Sequence, residues 1–313
     1  TRNLDLDFYI IDKSTVKSIN NITKANNEID IAELLSEENL DLIKDSIING
    51  KGTFTIPHFE IIQKSLGFDV VKGGTSSQKS DIVLDIKNDE IDKNDEGFGI
   101  KSYLGSKPTL LNASGNTNFI FRIDDFDETK IDEVNAIDTK TKLKDRIIFI
   151  EEFGGKFKYV GAEKETMEHN LKISDSLMPN IVGHLLISFY KKRISALSEI
   201  INEIHKVGDL NEEINYGEKH TLEIKIKRLL IDILLGFFAG TKWDGNYLAN
   251  GTIVLKKSGD CVGFHIVDSA SLKDYLFENI RLDTPSTTRH RFGKLYKEKD
   301  GKLYFKLNLQ LRF

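Results

Sequence analysis

Cysteine, proline and long apolar runs are all scarce in this sequence. Its 313 residues include one cysteine, Cys261, four prolines and one tryptophan. A lone cysteine excludes an internal disulfide framework and favours a reducing, cytoplasmic setting. The apolar stretch LLIDILLGFF at 229–238 is interrupted by Asp232 and Gly236 and is too short to span a bilayer. The opening residues, TRNLDLDFYIIDK, do not have the pattern of a signal peptide.

Several catalytic motifs are absent as well. The sequence contains no glycine-rich phosphate loop of the Walker or Rossmann type, no paired-histidine zinc motif and no nucleophile elbow. The histidines His184, His205, His220 and His265 stand far apart and are interpreted as structural or surface residues. Trp243 is interpreted as a packing residue at a turn. These absences exclude the usual nucleotide-binding and triad-hydrolase classes.

Charged residues are abundant and unevenly distributed. They make up 30% of the chain, against 39% hydrophobic residues, and the net charge is −5. Residues 281–313 nevertheless contain nine Lys or Arg and only three Asp or Glu. A basic segment in an acidic chain predicts one localised face for a polyanion, although a solvated basic tail is the alternative.

Hydrophobic periodicity predicts an α/β (α+β) protein with a β-rich C-terminal lobe. The predicted helices cover 31–50, 57–67, 179–206, 218–238 and 271–280. Strands are predicted at 81–87, 97–105 and 117–126, with the third following in a meander. Further strands are predicted at 146–152 and 155–161, and hairpins join 251–257 to 261–267 and flank the Asp300-Gly301 turn.

Two charged residues on neighbouring predicted strands could carry phosphodiester chemistry. Asp81 begins the first strand and Lys101 lies on the second. Such hydrolysis needs a metal ion at the scissile phosphate and an activated water. A carboxylate at Asp81 suits Mg²⁺, which prefers oxygen ligands, and the backbone carbonyl of Ile100 is a candidate further ligand. Asp85 shares the face of Asp81 and is a candidate second acid. The spacing alone is a weak signal, since an exposed Asp and a solvent-facing Lys would produce it too.

The polar loop after Lys101 has side chains suited to phosphate or base contacts. They are Ser102, Lys107, Asn112, Ser114 and Asn118. An ordinary turn-rich connection is an equally good interpretation.

The C-terminus gives a second indication of nucleic-acid binding. In the last predicted strand, alternate positions carry Lys306, Asn308, Gln310 and Arg312, which are residue types that contact base edges and phosphates. A basic cluster lies just upstream and comprises Arg289, His290, Arg291 and Lys294. The alternative is a half-exposed strand with a charged outer face.

Two long blocks of the sequence resemble the HpaII-type family of type II restriction endonucleases. One is GFGIKSYLGSKPTLLNASGNTNFIFRI at 97–123, and the other runs from 225 to 313 and begins KIKRLLIDILLGFFAGTKWDGNYL. The resemblance extends from the IPHF segment at 56–59 to the last residue. It is far more specific than the Asp81–Lys101 spacing.

The resemblance implies the PD-(D/E)xK nuclease fold, with a central mixed sheet flanked by helices. It also implies Mg²⁺ dependence and cleavage of both strands of double-stranded DNA at a short palindromic, CCGG-like site. Asp81 matches the first acidic position of the motif and Lys101 its lysine. The acidic position two residues before the lysine is Gly99 here, so a second acid would come from elsewhere, and Glu60 on a predicted helix is one candidate.

We therefore expect a type II restriction endonuclease. Residues 1–313 would form a single nuclease domain, with 1–56 as its N-terminal part, 57–240 as the catalytic core and 241–313 as the DNA-recognition lobe. A homodimer would match a palindromic site, and a cognate DNA methyltransferase would be its genetic partner. The alternatives are a sequence-specific DNA-binding protein without catalysis and an interaction protein with an acidic partner.

Overall fold

A computed structural model describes residues 79–87, 92–103, 106–207, 218–257 and 261–313. The predicted helices at 31–50 and 57–67 lie outside these residues. Within them the architecture is a mixture of helices and several sheets, which confirms the α+β class. None of the described helices is long and apolar enough to cross a membrane.

The described chain contains eleven strands and eight α-helices. The strands are β1 (Ile82–Lys87), β2 (Asp92–Ser102), β3 (Thr109–Leu111), β4 (Asn118–Asp124), β5 (Lys156–Ala162), β6 (Gly251–Leu255), β7 (Cys261–His265), β8 (Arg281–Leu282), β9 (Leu295–Lys297), β10 (Leu303–Asn308) and β11 (Leu311–Arg312). The helices are α1 (Ile131–Ala136), α2 (Lys142–Glu152), α3 (Glu165–Ser174), α4 (Met178–Lys192), α5 (Leu197–Val207), α6 (Lys219–Ile231), α7 (Ser269–Asn279) and α8 (Thr287–His290).

The chain divides into two compact units. The first contains the described residues up to Lys107 together with Leu248–His265, and the second contains Pro108–Tyr247 and Ile266–Phe313. The functional division predicted from the sequence, with a core at 57–240 and a lobe at 241–313, stays a prediction.

The first unit is built on a four-stranded mixed sheet in the order β1-β2-β6-β7. β2 pairs antiparallel with β1 and parallel with β6, and β6 and β7 form the predicted hairpin. Gly251 permits this pairing, because a Cβ there would lie 2.2 Å from the Phe264 carbonyl oxygen and 2.5 Å from the Phe98 ring. β2 is thus paired along both edges.

The second unit contains an antiparallel sheet in the order β5-β4-β10-β9. Phe305 of β10 pairs with Phe121 of β4, and the rings of Phe119, Phe121 and Phe305 are fully buried. The predicted hairpin across Asp300-Gly301 is confirmed as β9 and β10, with Gly301 at φ 78°. The predicted meander was wrong, because β4 joins this sheet and not the sheet of β2, whose second edge is taken by β6.

Helices and a small third sheet, β3-β11-β8, complete the second unit. The strand predicted at 146–152 is instead part of α2, whose buried residues Leu143, Ile147 and Ile150 recur at helical spacing. The helix predicted at 179–206 is broken in two, because Arg193 takes a left-handed conformation at φ 61° and ends α4. Similarly, α6 continues as a π-helix at Asp232–Gly236. As predicted, Trp243 is a packing residue, and its ring lies against Gly236.

Candidate active site

Asp81 is held against the neighbouring strand by two hydrogen bonds. It immediately precedes β1, and its backbone N–H donates to the Phe98 carbonyl at 2.8 Å. Its carboxylate Oδ2 accepts from the Ile100 N–H at 2.6 Å. Oδ1 has no hydrogen bond to any residue in the described chain. The side chain is exposed, so one oxygen is fixed by the sheet while the other can meet a ligand.

Lys101 lies near the end of β2 and is half-buried. Burial lowers the pKa of its ammonium group below the usual range, and the Asp81 carboxylate acts in the opposite direction. The structure therefore brings together the carboxylate and the amine that the sequence placed on adjacent strands. The Ile100 carbonyl, the other candidate ligand, belongs to the residue before Lys101. The N–H of the same residue donates to Asp81.

A second lysine, Lys79, belongs to the same group and was missed from the sequence. Burial, together with repulsion from Lys101, lowers the pKa of Lys79 to about 7. The available signal was its position two residues before the acid that opens β1. Because Lys79 lies before the start of that strand, the alternation of the strand did not include it.

Gly99 occupies the position where the motif would have its second acid, and the structure explains why a side chain is missing. A Cβ at Gly99 would lie 2.9 Å from the Lys79 carbonyl oxygen, closer than real Cβ contacts come. It would also lie 3.8 Å from Oδ2 of Asp81. The Gly99 carbonyl accepts a hydrogen bond from the Thr252 hydroxyl at 2.9 Å. An acidic residue could not be placed here without moving the backbone before β1.

The donors around Asp81 fit Mg²⁺ as a partial ligand set. Within the described ranges, no cluster of three His, Cys, Asp or Glu side chains could hold a metal ion. Mg²⁺ commonly uses one or two carboxylates and completes its shell with waters and substrate phosphates, so a single fixed carboxylate beside a backbone carbonyl is compatible with it. Of the candidate second acids, Asp85 lies on β1 without a described side chain, and Glu60 lies outside the described residues.

The polar residues after Lys101 differ in exposure and in their contacts. Ser102 is half-buried at the end of β2, whereas Lys107 and Asn112 are exposed. Ser114 caps the short turn at 115–117, where its hydroxyl accepts from the Asn116 N–H at 3.1 Å. Asn118 is 1% exposed, so it is part of the core.

The outer face predicted for the last strand is wrong at two positions. Asn308 is 0% exposed and Gln310 is 7% exposed. The Asn308 amide donates to the Ser114 carbonyl at 2.8 Å and to Oδ1 of Asn118 at 2.7 Å. This face is covered because the turn before β4 folds over it, as the hydrogen bond from Leu309 N–H to the Thr117 carbonyl at 2.9 Å shows.

The same polar network continues to the basic cluster. Asn118 donates to Glu163 at 2.7 Å and to the His290 carbonyl at 3.0 Å, and Lys306 binds Glu163 at 2.7 Å. Arg312 is half-buried and pairs with Asp283 at 2.9 Å. These side chains hold parts of the second unit together.

The basic cluster itself is largely open to solvent. Arg289, Arg291 and Lys294 are exposed, and His290 is half-buried. In the part of the chain that the structure describes, none of the three exposed cations forms an ion pair with a carboxylate. They are therefore available to an anionic partner.

Comparison with known proteins identifies the class. A family model described as HpaII restriction endonuclease matches residues 1–313. The type II restriction enzyme HpaII of Haemophilus parainfluenzae is 33% identical over 281 residues, which cover 88% of this chain and 77% of that protein. No solved structure matches. The protein is a type II restriction endonuclease, a site-specific deoxyribonuclease. Within that class, the chain belongs to the HpaII restriction endonuclease family.

Proposed function

We propose that the protein hydrolyses both strands of DNA at a short palindromic site in a Mg²⁺-dependent reaction centred on Asp81 and Lys101. The observation that supports this most is the fixed carboxylate of Asp81, with Oδ2 on the Ile100 N–H at 2.6 Å, beside a half-buried lysine. In this account, β1 and β2 are the central hairpin of a PD-(D/E)xK nuclease fold.

Asp81, Ile100 and Lys101 have separate parts in the proposed reaction. Asp81, through Oδ1, and the Ile100 carbonyl would hold the metal ion, with Glu60 or Asp85 as the second acid. When bound, Mg²⁺ supplies Lewis-acid activation of the scissile phosphate and lowers the pKa of water. Lys101 orients the attacking water through its amine. Burial lowers the pKa of that amine, which favours its neutral, proton-accepting form.

The remaining assignments are proposed by analogy with the family. The relative in Haemophilus parainfluenzae is named a type II restriction enzyme. We propose a CCGG-like target, action as a homodimer on the two half-sites, a cytoplasmic location and a cognate DNA methyltransferase as genetic partner. Two-fold symmetry in the protein would match two-fold symmetry in the site.

Digestion of a plasmid of known sequence, with sequencing of the cut ends, tests these points together. We expect discrete double-strand cuts at a palindrome in Mg²⁺ and none in EDTA. Cutting that persists in EDTA would contradict the metal dependence. Ends that map to unrelated positions would contradict the site-specific proposal.

A second function, sequence-specific DNA binding without cleavage, is favoured by one observation. Only one carboxylate, that of Asp81, is fixed at the described centre, because Gly99 leaves no room for a side chain. This alternative predicts specific binding of a duplex and no cutting with Mg²⁺, Mn²⁺ or Co²⁺. A single discrete digest with any of them would exclude it.

A further inference from the structure

A basic cleft lies in the second unit, beside α2 and the segment after α8. Its volume is about 660 Å³, and we refer to it as the α2 cleft. The charged side chains that line it are five basic residues and one acid: Lys142, Arg146, Arg291, Lys294, Lys306 and Asp138. Such an excess of positive charge in a concave surface attracts a polyanion.

The cations of the α2 cleft fall into two groups. Lys142 pairs with Asp138 at 2.8 Å, and Lys306 pairs with Glu163 at 2.7 Å. By contrast, Arg291 and Lys294 are exposed and have no carboxylate partner among the described residues. These two side chains are the ones that a ligand would meet first.

The segment that carries Arg291 and Lys294 is held through its backbone. The Asn135 amide donates to the Leu295 carbonyl at 2.8 Å and accepts from the Leu295 N–H at 2.9 Å. The Gly293 N–H donates to the Lys306 carbonyl at 2.9 Å. Since these bonds use main-chain atoms, the two basic side chains are left to bind something else.

Gly293 seats this segment directly on α2. It has φ 81°, and a Cβ there would lie 2.3 Å from Cδ2 of Leu143. A side chain there would have to displace the Leu143 side chain, and L residues rarely adopt this φ, so the glycine permits the close approach. The approach holds the backbone that carries the neighbouring cations before a ligand arrives, which lowers the entropic cost of binding.

Arg146 adds a buried positive charge beneath the cleft. It is 4% exposed, and its guanidinium donates to the carbonyls of Gly293, Ile137 and Asn135. None of these hydrogen-bond partners carries a negative charge. Burial lowers the pKa of Arg146, and the Asp138 carboxylate acts in the opposite direction. A buried cation with neutral partners is stabilised when an anion binds nearby.

We propose that the α2 cleft binds the sugar-phosphate backbone of DNA. Arg291 and Lys294 contact phosphates directly, since guanidinium and ammonium groups form charge-assisted hydrogen bonds with phosphate oxygens. Asn135 and Arg146 are positioning residues that hold the segment in place. Backbone contacts carry no sequence information, so this site supplies affinity and orientation independently of the target sequence. The proposal rests on the endonuclease function and adds a surface for its substrate.

The test measures DNA binding in EDTA, so that its result does not depend on cleavage. The variants Arg291→Gln and Lys294→Gln are compared with Lys299→Gln, an exposed lysine of the basic C-terminal residues 281–313 that does not line the cleft. Each is titrated at several salt concentrations with a CCGG-containing duplex and with a duplex of unrelated sequence. Thermal melting confirms that each variant is folded.

For both cleft variants, we expect an affinity loss of about tenfold on both duplexes. The slope of log K against log salt should become shallower by about 0.9 for each lost phosphate contact, while Lys299→Gln leaves the slope unchanged. An unchanged slope in both cleft variants would overturn the proposal. A loss confined to the CCGG duplex would also overturn it, since that would indicate base contacts.

Two further measurements separate the remaining possibilities. If the variants lost affinity for inorganic phosphate but kept their affinity for DNA, the cleft would be a site for free phosphate and the proposal would be wrong.

Arg146→Lys should retain the charge but lose part of the carbonyl network. We expect it to show a smaller slope change than Arg291→Gln, and an effect on melting alone would contradict its positioning role.

Discussion

The Asp81–Lys101 strand pair and the basic segment at 291–295 hold charged side chains in opposite ways. In the strand pair, the charged group itself is part of the hydrogen-bond pattern, because Asp81 binds the backbone of β2. In the basic segment, Asn135 and Arg146 bind the backbone, and the charged side chains remain outside the network. Substitutions in the strand pair should therefore affect the reaction, and those in the basic segment the binding of DNA.

The largest effect is expected for Asp81→Asn. The amide keeps an oxygen that can accept from the Ile100 N–H but loses the charge that would hold a metal ion. A metal ion contributes several kcal/mol to such reactions, so we expect the single-turnover cleavage rate to fall by about 10³-fold or more. DNA affinity in EDTA should stay within about twofold of the wild type, because β1 and β2 keep their geometry. Loss of binding together with cleavage would remove the contrast between the two regions.

Lys101→Met should have the next largest effect. The methionine preserves the half-buried aliphatic chain and removes the amine that orients the water. The cleavage rate should fall by about 10²-fold, which lies at the lower end for a positioned acid or base. Lys101→Arg serves as the charge-conserving control, and rate measurements on both variants at saturating Mg²⁺ decide the matter. Full activity in Lys101→Met would assign this lysine to packing.

A smaller effect, on stability alone, is expected for Asn308→Ala. The change removes a buried amide that donates to Ser114 and Asn118. It leaves Oδ1 of Asn118 without its donor, whereas the Ser114 carbonyl still accepts from Thr117. We expect a loss of about 2 kcal/mol in the free energy of unfolding, measured with urea. The control Lys302→Gln, on the exposed β9–β10 turn, should change it by less than about 0.5 kcal/mol. If Asn308→Ala instead altered the preferred DNA site with no loss of stability, the residue would be a base reader.

The smallest effect is expected for Gly99→Ala. A Cβ at Gly99 would press on the Lys79 carbonyl oxygen at 2.9 Å, so the free energy of unfolding should fall by about 1 kcal/mol. Gly115→Ala is the matched control, because nothing lies within 4 Å of a Cβ at Gly115. Both are compared by thermal melting.

In addition, Gly99→Glu should not raise the cleavage rate. A faster Gly99→Glu enzyme would show that the glycine does not exclude an acid.

Sequence alone was sufficient where the structure depends on local pattern. The alternation in DIVLDIK correctly predicted β1, and the Asp300-Gly301 turn correctly predicted the β9–β10 hairpin. GFGIKSYLG predicted the part of β2 that carries Lys101, but β2 already begins at Asp92, in the acidic run before the predicted strand. The helix at 271–280 was confirmed as α7. In each case the residues that determine the element are neighbours along the chain.

Sequence was insufficient where distant segments decide the result. Asn308 alternates correctly with its apolar neighbours, but the turn at 115–117, nearly two hundred residues earlier, covers its face. The pairing of β2 with β6 could not be read from either strand, because parallel partners are joined by a long connection. Likewise, Lys79 and the α2 cleft emerge only when segments far apart in sequence are brought together.

The position of the bound metal ion decides whether Asp81 is part of the catalytic centre. Fe²⁺ is added in place of Mg²⁺, and the radicals that a bound Fe²⁺ generates with peroxide and ascorbate cut the polypeptide close to the ion. Fragments are then identified by mass spectrometry. We expect cuts near residues 81 and 100 that are suppressed by excess Mg²⁺ and absent from Asp81→Asn. Cuts elsewhere in the chain, or cuts at these positions that survive in Asp81→Asn, would contradict it.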